Sequence, residues 1–430
     1  MVQSQNIQLS NHVKIHFISK ESETCFFGYY NYSPLNFEGT KLLSHKTDFE
    51  GRMPSREDVA EVGYFDLIED KWYSIEKTNA FNWQQGAMLQ WVGPDFNTRF
   101  IFNAVSNGKF VSKIHDINSK KTVELPEAIY GVDPKGKFSI SLNFERCFWT
   151  RAYSYVSIEN EEWNKRIPEQ DGIVKIDIQT GEKKTIIGLN QFLQFNDIKD
   201  DGLTSHWFEH IMINPSGTRF SFYHRFGTKN EYRTECYTAD INGNNIWKHP
   251  TKEDDTISHI GWKDAESYVL FTYPTTKLSN WYSSQVEKNK FEFARLIYRK
   301  FVKPFFKEKT VSLVKGSHYA LSIDQEKIVN HWNTGLLSRD GHPSFTKDQR
   351  FLLSDTYADE QKFRDLFLFD TLKNKTINLG RFYSTYNECG WRADLHPRFS
   401  HDENFVIIDT THNGVHQLLM LEIDWESIIK

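Results

Sequence analysis

An apolar or aromatic strand end, a turn rich in Gly, Asp, Pro and Asn, and an alternating apolar and polar run recur along this chain as one unit. Seven copies are legible: NYSPLNFEGTKLLS from Asn31, QWVGPDFNTRFIFN from Gln90, YGVDPKGKFSISL from Tyr130, INPSGTRFSFYH from Ile213, WKDAESYVLFTY from Trp262, FTKDQRFLLSDT from Phe345 and FSHDENFVIIDT from Phe399. In each, the turn residues reverse the chain and the alternation lets the second strand hide one face. A sheet-sized unit repeated from end to end predicts an all-β, seven-bladed β-propeller over residues 1–430. Turns lie roughly 40 to 85 residues apart against ~40 to 50 for a plain blade, so some blades carry long insertions. One stretch breaks the β pattern. Residues 285–309 (QVEKNKFEFARLIYRKFVKPFFKEK) place Phe293, Leu296, Ile297 and Phe301 on a helical stripe among basic residues, which predicts an amphipathic helix between blades, ended or bent by Pro304. Such a helix packs over a blade or at a dimer contact, or lies on an anionic membrane surface as a peripheral contact.

Four of the hairpins share a further register. His210, His259, His342 and His396 each stand three residues ahead of the hydrophobic residue that opens the turn. The first strand of a propeller blade runs along the central channel, so equivalent positions of neighbouring blades form a ring. The matching places in the earlier copies fall at Tyr29, at Met88 or Leu89, and at Ile129, so the imidazoles cover one side only. A lone strand histidine is most often a hydrogen-bonded core or surface residue. Four in register point instead to a divalent metal such as Mn, Fe, Co, Ni or Zn.

Composition narrows the class. The aromatic content of 15% over 430 residues supplies a large β core, and a net charge of −5 with mixed signs argues against a broad nucleic-acid surface. The N-terminal residues lack an apolar run of signal-peptide length, and nowhere do about 18 apolar residues follow one another, so a cytoplasmic protein is expected. Cys25, Cys147, Cys236 and Cys389 fit no CxxC spacing and read as reduced, buried thiols. No Gly-x-Ser-x-Gly elbow, phosphate-binding loop or His-Glu-x-x-His helix occurs.

From His210 onward the chain resembles the oligogalacturonate lyases, cytoplasmic seven-bladed propellers that cleave short pectin fragments by β-elimination around a divalent cation, often manganese. EHIMINPSGTRFSFYHRF resembles the family's stretch ending in Cys-His-Glu-Gly-Pro, SHIGWKDAESYVLFTY its Thr-His-Glu-Phe-Trp blade, and ADLHPRFSHDENFVIIDTTHNGVHQLLMLEI its His-Pro-His-Pro-Ser-Phe blade. The resemblance implies that His224 is the catalytic base and that His259 and His396 ligate the metal. Asp394 stands where the family has the first histidine of His-Pro-His, and Trp391 where it has a glutamine ligand. Asp394 retains an oxygen donor and Trp391 does not. His342 then serves as the replacement ligand. The Cys-His-Glu-Gly-Pro stretch has become Tyr223-His224-Arg225-Phe226-Gly227, which implies a different sugar.

The chemistry asks for such groups. Removing the proton beside a uronate carboxylate is slow because the carboxylate resists further negative charge. A cation or arginine on that carboxylate stabilises the enolate-like transition state, and a neutral histidine takes the proton. Arg225 and Arg392, with Arg233 and Arg398, are the candidates to hold carboxylates. In the N-terminal half Trp83, Gln84, Gln85, Arg151 and Tyr153 offer amides, a cation and flat rings suited to sugar hydroxyls and ring faces. Two other classes compete. One is a non-catalytic propeller binding a glycan or protein partner. The other is a hydrolase built on paired carboxylates, for which Glu209, Asp355, Asp394 and Asp409 are available.

Overall fold

The computed structural model describes residues 6–151, 153–229, 231–251, 255–274, 317–387 and 390–430. The predicted segment 285–309 and Cys389 lie outside them. Each hairpin of the repeat joins the inner part of a sheet to its next strand. Blade 1 holds Thr24–Phe26, Lys41–Thr47, Ala60–Asp66 and Lys71–Thr78, with its hairpin pinned by the bridge between Leu35 and Leu42. Blades 2 to 5 follow in chain order and begin at Gln90–Trp91, Gly131–Val132, Ser205–Ile213 and Asp255–Trp262. Blade 6 begins at Ser344–Phe345 and blade 7 at Arg398–Phe399. All seven sheets are antiparallel, and from Thr24 onward strands that follow one another within a blade are neighbours in space. The chain is a seven-bladed β-propeller.

The pattern differs from expectation in the second and third strands of a blade. Leu366, Phe367, Leu368 and Phe369 are all buried, not every other residue. A blade is covered on both faces by its neighbours, so both faces of its middle strands must be apolar. Outermost strands, such as Lys121–Leu125 with its exposed first four residues, keep the polar character of a sheet edge. Cys25, Cys147 and Cys236 are buried free thiols in this packing. Among the described residues no helix is long and apolar enough to cross a membrane.

The ring closes through the N-terminal segment. Val13–Ile18 pairs with Gln417–Ile423 as the outermost strand of blade 7, and Ile7–Leu9 adds a fifth strand to blade 6 along Lys375–Tyr383. These pairings seal the edges of the last two blades. A variant lacking residues through Ile18 therefore leaves the long apolar strand Gln417–Ile423 as a bare edge. It is expected to be aggregated on size-exclusion chromatography, or to melt below the full chain by about 1 °C for each kcal/mol of lost pairing and burial, the scale set by ~2.1 cal/mol/K of unfolding entropy per residue.

Candidate functional site

The inner strands of blades 4 and 5 are interrupted at their histidines. The ladder slips between Glu209 and Met212 in blade 4 and between Ile257 and Ile260 in blade 5. His210 and His396 have left-handed backbones, with φ of 52° and 45°. Bulges and left-handed residues re-aim a side chain that a regular strand would send elsewhere, at a strain of about 1 to 3 kcal/mol each. The effect here is to turn imidazoles of four successive blades toward one another. Ring centroids are 6.3 Å apart for His210 and His259, 4.2 Å for His259 and His342, and 4.2 Å for His342 and His396.

The floor under this row comes from blade 1. Tyr29 and Tyr30 leave the channel wall, and the Tyr30 hydroxyl reaches across the ring to donate to the Ile260 carbonyl of blade 5 at 2.7 Å. The Tyr30 ring lies 5.0 Å from His342, and that of Tyr29 lies 5.8 Å from His210. Gly28, at φ 116°, has no room for a side chain against the Gln85 backbone. Its carbonyl accepts from His396 Nδ1 at 2.7 Å and also from Arg398. Arg398 donates in addition to the Tyr29 carbonyl at 2.8 Å and pairs with Asp409 at 2.7 Å, and Asp409 accepts from the Phe27 amide. Arg398 is thus an enclosed clamp on the tyrosine segment, not a group facing a ligand.

Three of the imidazoles have one nitrogen committed. His259 Nδ1 meets Asp340 at 2.9 Å, His342 Nδ1 meets Asp355 at 2.8 Å, and His396 Nδ1 has the Gly28 carbonyl. Carbonyl and carboxylate oxygens only accept, so Nδ1 carries the proton and Nε2 keeps its lone pair. Burial pushes His342 well below the ordinary histidine value, as does the neighbouring His259, and burial with His342 does the same to His396. His342, His396 and Asp394 can each offer one ligand atom within 4.8 Å of the others. Two neutral imidazoles, each with an oxygen behind it, plus a carboxylate are a donor set that suits a divalent transition metal.

Asp394 is fixed by two arginines, with Arg392 Nε at 2.7 Å from one oxygen and Arg364 Nη1 at 2.7 Å from the other. Burial alone would raise its pKa, but Arg392 and Arg364 outweigh burial and hold it ionised. Arg392 also donates to the Tyr357 hydroxyl at 3.1 Å. At the other end of the row Glu209 lies between Arg225, at 2.5 Å, and Arg151, at 3.3 Å, and accepts from the Trp207 indole at 2.9 Å. Arg151 donates to Gln85, which donates to the Tyr130 hydroxyl. The guanidinium carbons of Arg151 and Arg225 sit 4.6 Å and 4.7 Å from the ring centroids of Tyr153 and Tyr232. Two arginines around one carboxylate leave a surplus positive charge beside His210, whose Nδ1 lies 3.3 Å from Glu209.

The remaining candidates stand elsewhere. His224 alternates with Tyr223 and Arg225 on the second strand of blade 4, Arg219–Thr228. Tyr223 stacks on His210 at 4.9 Å and Arg225 pairs with Glu209, so His224 faces the opposite side of the sheet, against His206. Arg233 is on the exposed end of the next strand, Glu231–Asp240. Trp83 is buried, stacked on His416 at 4.4 Å, with its indole donating to the Arg52 carbonyl. Gln84 donates to the Arg392 carbonyl. Of the carboxylates a hydrolase would use, Glu209, Asp394 and Asp409 are each locked to arginine, and Asp355 accepts from the His342 and His396 amides. Asp340, Arg364 and Tyr357 went unnoticed in the sequence because no repeat or motif marks them.

No protein-family model matches the chain, and no curated protein sequence matches it. Among the solved structures that are similar, two oligogalacturonate lyases match over nearly the whole length of both chains. An oligogalacturonate lyase in complex with manganese superposes with a TM-score of 0.63 at 15% identity, covering 100% of both chains. The oligogalacturonate lyase of Vibrio parahaemolyticus superposes with a TM-score of 0.63 at 13% identity, covering 98% of both. At such identities the likeness establishes a shared propeller fold.

Proposed function

We propose that this propeller is a lyase that acts on a uronate-containing oligosaccharide by β-elimination, with His342, His396 and Asp394 holding a divalent metal ion and His259 beside them. One observation carries the reading: His342 and His396 on neighbouring blades, each with Nδ1 bonded to an oxygen, and Asp394 bring one ligand atom apiece within 4.8 Å of one another. The full-length likeness to a manganese-bound oligogalacturonate lyase supports it. When bound, the cation supplies Lewis-acid stabilisation to the carboxylate whose neighbouring carbon loses a proton. Arg151 and Arg225, with one positive charge in excess of Glu209, attract the anionic sugar and shield its charge. Tyr153 and Tyr232 flank the arginines with rings suited to a sugar face.

Geometry favours His210 over His224 as proton acceptor. His210 shares the channel with the metal-ligand candidates and has Glu209 against its Nδ1, a carboxylate that stabilises the imidazolium as it forms. Burial holds His210 neutral, at about 3, although Glu209 opposes that. The test is metal content by mass spectrometry on protein purified without chelator, together with ultraviolet detection of the unsaturated uronate product. One transition-metal ion bound by the channel residues and an activity lost on His210→Ala but retained on His224→Gln are expected. An unchanged metal content in the His342→Ala, His396→Ala variant would overturn the ligand assignment. Activity that survives His210→Ala and disappears with His224→Gln would return the proton to His224. Protein that takes up no metal and yields no unsaturated product would leave a glycan-binding propeller.

A further inference from the structure

His224 belongs to a second polar site on the far face of blade 4. It pairs across the sheet with Phe208 on one side and Glu235 on the other, and His206 sits diagonally on the same face. His206 Nδ1 and His224 Nε2 are 3.0 Å apart and the rings are parallel within 7°. Both histidines are at least nine-tenths buried, yet they line an open cavity of about 320 Å3 together with Asn196, Glu235, Tyr237 and Lys248. On the other side of the His224 ring, Nδ1 is enclosed, makes no hydrogen bond, and faces a Glu235 oxygen at 3.8 Å. Glu235 is held by Lys248 at 2.7 Å and by the Tyr237 hydroxyl at 2.9 Å.

We propose that His206 and His224 bind a divalent transition-metal ion in this cavity, independently of the channel. Two imidazole nitrogens 3.0 Å apart have the separation of adjacent donors at about 90° around one octahedral ion with metal–nitrogen bonds of about 2.1 Å. The carboxylate behind His224 is the outer partner that orients a metal-bound imidazole through its other nitrogen, and the fixed position of Glu235 suits it to that task. Burial, with His224 disfavouring charge beside it, holds His206 neutral at about 4, and burial lowers His224 against the pull of Glu235. Neutral imidazole is the ligating form. Only two protein donors are in place, so the cavity has room for water or a small oxygen ligand to complete the sphere, and the ion is exchangeable. A hydrogen bond between the rings accounts for the 3.0 Å separation alone. That bond places the His224 proton on Nδ1, toward Glu235, which is the same tautomer that leaves Nε2 free to ligate an ion, so cobalt binding separates the two readings.

Cobalt(II), with its visible absorption, is the probe. The full-length chain carrying His342→Ala and His396→Ala is expected to keep about one cobalt per chain, and to lose at least nine-tenths of it when His206→Gln or His224→Gln is added. Glu235→Gln, which keeps both nitrogens, is expected to weaken cobalt binding about 10- to 100-fold. In crystals of the unaltered protein soaked in cobalt, an anomalous peak is expected about 2.1 Å from both nitrogens. The channel reading is judged separately, by the cobalt lost between the unaltered chain and the channel variant. No residual cobalt in that variant, or residual cobalt indifferent to both glutamine changes, overturns the pocket site. If a glutamine variant fails to fold, the anomalous map decides: a peak supports the site and an empty cavity refutes it.

Discussion

Glu209→Ala is expected to destabilise the protein by about 3 to 5 kcal/mol, the usual cost of breaking a buried ion pair by removing one partner. The carboxylate is fully enclosed, with Arg225 at 2.5 Å, Arg151 at 3.3 Å and the Trp207 indole at 2.9 Å. Its loss leaves two guanidinium groups and an indole N–H without their shared acceptor, and Arg151 is itself buried. Burial would raise the Glu209 pKa, but Arg151 and Arg225 reverse that and hold it far below the carboxylate range. A depressed carboxylate contributes stability that is present above its unfolded value and is lost only as pH falls through the folded one. The stabilisation should therefore persist from neutral pH through moderately acidic solution. Urea denaturation at pH 7 reads the effect, with Glu422→Ala as control. Glu422 pairs with Lys14 at 3.1 Å on the open surface, where a pair contributes at most ~1 kcal/mol. A Glu209→Ala loss no larger than the control's would mean that the arginines are not committed to Glu209. A Glu209→Ala, Arg225→Met double variant should recover part of the loss, because one of the stranded charges is gone.

The hairpin repeat made the seven blades legible because turn residues and strand ends are local. Closure of the ring was not, since Val13–Ile18 finds its partner in Gln417–Ile423 at the other end of the chain and no local pattern announces such a pairing. The histidine register singled out four residues whose rings do meet, although the devices that bring them together, bulges and left-handed backbone at His210 and His396, leave no trace in composition. The motif resemblance led to His224, one residue from Tyr223 and Arg225. In a strand one residue is the difference between joining the side of His210 and Glu209 and lining the cavity on the opposite face of the sheet. Arg398 and Trp83 illustrate the same limit in another form. A large polar or aromatic side chain suits a binding rim and a packed core equally, and only burial and partners tell them apart. Arg398 with Asp409, and Trp83 against His416, resolve toward the core.

Acidification should unfold the protein between about pH 6 and pH 4, and histidines outside the channel set that window. His45 is buried with Nδ1 near the Phe26 carbonyl at 3.2 Å and Nε2 accepting from the Ala87 amide at 3.0 Å. Charging it would abolish the second bond. Burial pushes His45 down to about 4 and His249 to about 3, and burial with His224 pushes His206 to about 4, from an ordinary 6.5. Because the unfolded chain binds protons that these folded sites refuse, stability falls as pH drops from about 6.5 and stops falling once the folded sites have themselves charged. At about 1.4 kcal/mol for each tenfold difference in proton affinity, the three histidines together withdraw roughly 10 kcal/mol, comparable with the ~5 to 15 kcal/mol that holds a typical domain together. Asp171 acts in the opposite direction. Burial raises it to about 6 against the pull of Arg146, and raises Asp355 likewise to about 6 against the pull of His396, so taking up these protons stabilises the fold as pH falls, but the two groups together offset at most about 6 kcal/mol. The histidines therefore prevail. Near-ultraviolet circular dichroism followed through a pH titration should show a cooperative loss of signal in that window, and His45→Gln, which keeps a neutral acceptor, should move the midpoint to lower pH. A protein that remains folded at pH 3.5 with an unchanged melting temperature would show that these imidazoles charge in place, reached by water through openings between the blades.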